Sequence, residues 1–183
     1  MKKLSIRAVV AIGIGTALYI VLSLVSIPLG FIPNTAIQPR AALLALIAAI
    51  YGPVVGGAVG FLGHALADAF QYGGIWWSWV FPDAVFGILA GILAGKYQIE
   101  KGGFAGKQIV LFNAAQIVAN AITWIGLAPV FDIAIYAEPV NKVFAQGFFA
   151  FLGNSITIGI LGTLLALAYT RVKARSSSLD RED

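Results

Sequence analysis

Residues 52–79 read GPVVGGAVGFLGHALADAFQYGGIWWSW. The stretch holds the chain's one histidine, and it decides the fold. Its apolar run over 54–70 has the length of a membrane span, since a helix needs about 20 apolar residues to cross the hydrocarbon core. On such a helix Gly56, Gly60 and His64 share a face, flanked by Gly57 and Gly63. Glycines in that pattern predict close helix packing or backbone lining a cavity. His64 and Asp68 stand one turn apart, near enough to interact.

The rest of the chain agrees with a membrane reading. It is 60% hydrophobic and only 11% charged, with a mean hydropathy of +0.90. Soluble domains carry about 25% charged residues. Six spans are expected, at about 5–27, 40–51, 54–70, 79–96, 107–128 and 143–170, in one membrane domain with a polar tail over 174–183. A count of four or five spans is the alternative. The second segment is short, about 18 Å of helix at 1.5 Å per residue, so it tilts or turns at Gly52–Pro53. The run after Lys2, Lys3 and Arg7 is too long for a signal h-region and is read as a retained first span.

Charge sets the expected orientation. In the six-span arrangement Lys2, Lys3, Arg7, Lys96, Lys101, Lys107, Arg171, Lys173, Arg175 and Arg181 share one side, against Arg40 and Lys142 on the other. Positive residues concentrate in cytoplasmic loops, so both termini are expected in the cytoplasm. The net charge of +4 is thereby a topology signal, and no nucleic-acid partner is implied. The three segments on the opposite side, PLGFIPNTAIQP, QYGGIWWS and DIAIYAEPVN, are expected to be non-helical. Such backbone survives near membrane depth only when buried in protein or lining a wet cavity, so together they are expected to cap one.

Several residues are candidates for that cavity. An aspartate at mid-helix costs about 2.5 to 3.5 kcal/mol on insertion scales; Asp68 lies near a helix end, so it either pairs His64 or meets a ligand. Trp76, Trp77 and Trp79 fit an interfacial aromatic belt, yet three within four residues cannot all face lipid. At least one is expected to point inward, where it can stack on a flat ligand. Asp83 is expected in the first turn of the fourth span. Asn113, Gln116, Asn120 and Trp124 form a polar stripe on the fifth span, serving helix association or, at Asn120 and Trp124, a ligand. Gln146 and Asn154 can face them. Asn34 and Gln38 in the first loop, and Tyr136, Glu138 and Asn141 in the third, complete the set.

Catalytic and metal chemistry is weakly supported. There is no Cys, no HExxH, no G-x-S-x-G and no phosphate-cradling loop. One histidine with one aspartate falls short of a zinc site. No cofactor and no metal are expected. Two other classes stay open beside a binding protein: an intramembrane enzyme using His64 and Asp68 for proton transfer, and a freestanding secondary transporter, although no inverted repeat is visible.

Six unequal spans, a first span rich in small residues, and the segments SIPLGFIPNTAI, YGPVVGG and GHALADAFQYGGIWWSW resemble the substrate-binding S components of energy-coupling factor (ECF) vitamin transporters. The resemblance covers nearly the whole chain and is nearest the riboflavin-transporter-like group, within it the hydroxymethylpyrimidine or pyridoxine branch. It implies an all-α six-helix membrane bundle without enzymatic activity in a bacterial cell membrane. It also implies a vitamin ligand and three partners, namely a membrane T component and two ABC ATPases. The family's Ala-x-x-x-Ala motif, which packs on the T component, maps onto Ala11 and Gly15 or onto the overlapping Gly13 and Ala17.

The charge asymmetry generates a direct test. A reporter active only outside the cell, fused after Asp183, is expected to be silent; activity there would remove the six-span arrangement.

Overall fold

The computed structural model describes residues 4–32 and 35–179 of the chain. Asn34, Pro33 and the charged residues at both extreme ends lie outside these. Helix α1 runs Ile6–Ser23, capped by the Ser5 hydroxyl, which accepts from Ala8 N. A short antiparallel ladder pairs β1 (Ile27–Pro28) with β2 (Ala36–Ile37). Then follow α2 (Arg40–Tyr51), α3 (Pro53–Tyr72), α4 (Trp77–Gly91), α5 (Ala94–Tyr97), α6 (Lys107–Asn120), α7 (Ala128–Tyr136), α8 (Val140–Thr157) and α9 (Thr163–Leu179).

Among the described residues, four continuous helical stretches are long and apolar enough to cross a membrane: Ile6–Ser23, Pro53–Tyr72, Lys107–Tyr136 and Val140–Ser176. A fifth arises if Trp77–Gly91 and Ala94–Lys101, bent by 50°, count as one broken span. The sixth helix of the bundle is α2, whose 12 residues are too few to span alone. It does not need to meet lipid along its length. Ala42, Leu44, Ala45, Ile47, Ala48 and Ala49 are buried, so protein covers the helix at the bundle's centre. Its C-terminus turns into α3 through one residue, Gly52, at φ +87°. Glycine takes that conformation without a Cβ penalty, and Pro53 starts the next helix where its missing N–H is harmless.

Helices α3 and α4 meet backbone to backbone. A Cβ on Gly56 would strike the Gly87 carbonyl and Ala48, one on Gly60 the Asp83 carbonyl, and one on Gly91 the backbone of Gly52 and Pro53. The four-residue spacing on both helices keeps these positions on facing ridges. His64 continues the ridge on α3 and comes to Asp83 on α4. Asp83 is therefore not in the first turn of its helix; it is the seventh residue of α4 and buried.

Two expected boundaries shift for identifiable reasons. The fifth span does not end at Ala128 but continues to Tyr136, so the DIAIYAEPVN segment is helical through Tyr136 and breaks only over 137–139. Pro129 lacks an N–H and its ring crowds the carbonyl four residues back. The helix absorbs this as a π-helical stretch at Ala121–Leu127. A second π stretch, Ile158–Gly162, joins α8 to α9, so the sixth span is longer than 143–170. The first loop is not wholly irregular either, because of the β1–β2 ladder.

The small residues of α1 divide between two faces. A Cβ on Gly15 would lie 2.8 Å from Ile47 Cδ1 and 3.0 Å from Val59 Cγ2, whereas one on Gly13 would have nothing within 4 Å. Ala11 packs against the core, and Ala17 is exposed with Gly13. At the end of the bundle nearest the described termini, Arg7 pairs with Glu100 and lies 5.2 Å over the Tyr51 ring; Tyr169 donates to the same carboxylate at 3.2 Å.

The α3–α4 contact leaves no room for a side chain. Gly87→Val is expected to lower stability by about 1–3 kcal/mol or more, the usual cost of overpacking, whereas Gly13→Ala leaves it unchanged. Thermal melting in one detergent compares the two; equal melting would mean the helices are not held this closely.

Candidate functional site

At the end of the bundle opposite the Arg7–Glu100 pair, the loop after α1 and helices α2, α3, α4, α7 and α8 enclose a cavity of about 690 Å³. Small-molecule sites measure about 300–1,000 Å³. The first loop contributes Pro28, Leu29 and Gln38, the second Trp76, and the break before α8 Glu138. The three segments do converge on one cavity.

Its inner side is an ionic chain. Asp83 accepts a short hydrogen bond from the Tyr19 hydroxyl and lies 3.1 Å from His64 Nδ1. His64 Nε2 is 3.6 Å from Asp68 Oδ1, while Asp68 Oδ2 accepts from Trp76 N at 3.1 Å. All four side chains are buried, Tyr19 to within 1%. The Tyr19 ring packs directly on Gly63, where any Cβ would strike it, and the Arg40 guanidinium lies over the ring, 5.1 Å from its centre. Arg40 also donates to Ser23 Oγ at 3.4 Å.

The outer side is aromatic and hangs on one carboxylate. Asp132, 2% exposed, accepts from Trp76 Nε1 at 2.7 Å, from Trp79 Nε1 at 2.8 Å, and from the Ser78 hydroxyl. Three neutral donors satisfy an ion buried in a membrane bundle, where an unpaired charge would be costly. Trp76 stacks on Tyr136 at 4.5 Å between ring centres, and Trp79 on Trp124 at 5.6 Å. The π-helical stretch carries Trp124 to this wall, and α8 reaches it through Gly147, whose Cβ would strike the Trp124 carbonyl. Such π turns recur at functional sites.

The expected residues separate accordingly. Gln38, His64, Asp68, Trp76, Trp79 and Trp124 line the cavity, as do Gln146 and Asn154. Trp77 instead packs on Phe61 and Phe81. Tyr136 stands behind Trp76 and accepts from Trp77 N at 3.2 Å. Asn120 is fully buried behind the wall, donating to Gln116, and Asn141 is exposed, its side chain accepting from Lys142 N. The lower half of the amide stripe is helix glue: Asn113 donates to Thr163 and Gln116 to the Ser155 carbonyl, at 3.0 and 3.2 Å. Sequence reasoning missed Tyr19 and Asp132, and gave Asp83 no partner. The signal available for Asp132 was an acid amid apolar residues, three beyond Pro129, in a segment expected to be loop.

A multi-helix membrane protein with a polar, tryptophan-walled cavity of small-molecule size is a membrane binding or transport subunit. The chain belongs to the family of ECF-type riboflavin transporter S components, whose family model matches residues 3–171. It is 52% identical over 182 residues to a UPF0397 protein of Lactobacillus johnsonii, covering 99% of this chain and 98% of the relative. It is 46% identical over 187 residues to a UPF0397 protein of Streptococcus gordonii, covering both in full. The family makes the chain a substrate-binding membrane subunit of ECF transporters. It is a family of transporter subunits, not of enzymes.

Asp132 is the pivot of the aromatic wall. Asp132→Ala leaves two indole N–H groups and a hydroxyl without their acceptor, which at the buried Ser78 hydroxyl costs about 1–3 kcal/mol. We expect loss of near-ultraviolet circular dichroism from the tryptophans with helical content retained. An unchanged near-ultraviolet spectrum would show that the carboxylate does not hold Trp76 and Trp79.

Proposed function

We propose that this subunit captures a small, flat heteroaromatic vitamin or vitamin precursor, hydroxymethylpyrimidine or pyridoxine, from outside a bacterial cell. It hands the ligand on through a membrane T component energised by two ABC ATPases. The observation that carries the reading is the cavity's combination of two stacked aromatic pairs with convergent polar groups at Gln38, His64, Asp68, Gln146 and Asn154. A ring slots against indoles, and side-chain amides and carboxylates take its exocyclic groups. Both termini face the cytoplasm in this reading, as the Lys/Arg distribution supports. The name of the matching family favours a second reading, riboflavin, for which the cavity volume is also adequate.

The T component docks on α1 in this proposal. Gly13 and Ala17 support it, being exposed and four residues apart, so that another helix can approach closely. Gly15, turned onto Ile47 and Val59, serves the bundle's own packing, with Ala11 beside it.

Gly13→Trp separates capture from transfer. Cells carrying it are expected to lose uptake of the vitamin. The purified variant should still show tryptophan quenching by hydroxymethylpyrimidine or pyridoxine with unchanged affinity. Retained uptake would move the docking face elsewhere. Absence of quenching by either ring in the parent protein would remove the proposed ligands.

A further inference from the structure

Charge around the cavity does not balance. Asp68, Asp83, Asp132 and Glu138 line it, against Arg40, Lys142 and His64. Lys142 Nζ sits 2.7 Å from Glu138 Oε2, and this pair cancels. Three carboxylates then face Arg40 and His64. Even with His64 protonated, one negative charge is left over; with His64 neutral, two are. Net charge held away from water inside a membrane bundle is costly unless something pairs it.

The geometry shows where the pairing partner belongs. Asp132 has both oxygens engaged by neutral donors, and Asp83 has the Tyr19 hydroxyl and His64. Among the described residues Asp68 Oδ1 has only His64 Nε2 at 3.6 Å, too long for a hydrogen bond, and Asp68 lines the cavity. The aromatic wall selects the same sign of charge. Trp76 and Trp79 both donate their indole N–H to one carboxylate, which enriches the ring faces in electron density. Indole faces attract cations, by about 0.5–2 kcal/mol. On the far side Trp124, 5% exposed, lines the cavity with its ring, while its Nε1 atom is itself buried.

We propose that the site takes its ligand as a cation: a flat nitrogen heterocycle, protonated or alkylated on nitrogen, with the charged edge toward Asp68 and its ring against the indole wall. This rests on the small-heteroaromatic reading above and sharpens it. The competing way to remove the surplus charge is a proton resident on a carboxylate, and then a neutral ring of the same shape binds as well as the cation.

Two probes of one shape decide between them. The meta-hydroxymethyl N-methylpyridinium cation and meta-methylbenzyl alcohol differ only in charge. Titrated into the purified full-length protein and followed by tryptophan fluorescence, the cation is expected to bind at least about tenfold tighter, a difference of about 1.4 kcal/mol. Asp68→Asn should erase the preference by weakening the cation alone. Asp83→Asn, which removes charge without removing the contact at Asp68, should reduce it in part, and each variant's melting is recorded alongside. Equal affinity for the two probes, or a preference that survives in both variants, would overturn the cation while leaving a neutral heteroaromatic ligand standing. If neither probe binds and the protein purified from native membranes releases a small molecule that is not a ring, the cation and the heteroaromatic reading fall together. A neutral ring released from it overturns the cation alone.

Discussion

The ionic side of the site depends on how closely α3 and α4 approach. Gly56 and Gly60 on one helix, and Gly87 and Gly91 on the other, let the two backbones touch. In a membrane there is little hydrophobic drive between helices, so packing of this kind must supply the association. Its chemical product appears one turn further along. The same ridge that carries the glycines carries His64, and the facing ridge carries Asp83, so the closeness that glycine permits becomes a 3.1 Å contact between ionisable groups. Tyr19 joins because Gly63 leaves room for its ring. A methyl group at Gly56 or Gly87 would act on the ionic chain only through the backbone, whereas one at Gly63 would strike the Tyr19 ring itself.

The bundle has a second half built on a different principle. There α7 and α8 meet across the π-helical stretch, and Asp132 gathers two tryptophans and a serine. One half offers charge set in rigid backbone packing, the other offers flat rings set by hydrogen bonds to a single ion. The cavity lies where they face each other, closed over by the loop that carries β1 and β2. For a subunit of a transport family, this divides recognition into a polar side and a stacking side, each with its own structural support.

The membrane character, the helical bundle and the loops that would converge were legible because hydropathy and proline placement act locally along the chain. The His64–Asp68 pair was legible because it is one helical turn. Asp83 was not, since its role depends on a contact between helices 19 residues apart in sequence, and nothing in a single sequence fixes that register. Asp132 was hidden by Pro129: proline ordinarily ends a helix, and only the π turn, invisible to a 3.6-residue period, lets this one continue. The same turn explains why the regular stripe from Asn113 to Trp124 divides, with Asn120 behind the wall and Trp124 on it. The two registers on α1 could not be separated by spacing alone, because both are four residues long and the deciding neighbours, Ile47 and Val59, come from other helices.

The shortness of α2 has an electrical consequence. Arg40 and Ala41, at its beginning, border the cavity, so the solid protein beneath is only the 12 residues of this helix, about 18 Å along its axis. The hydrocarbon slab is about 30 Å thick. With α2 along the membrane normal, the base of the cavity lies roughly two-fifths of the way through the dielectric from its own side. A unit charge crossing the whole membrane exchanges about 2.3 kcal/mol per 100 mV, so a charge resting at that base has already traversed close to 1 kcal/mol of it. In that orientation the membrane voltage would be part of the environment of any ion held there.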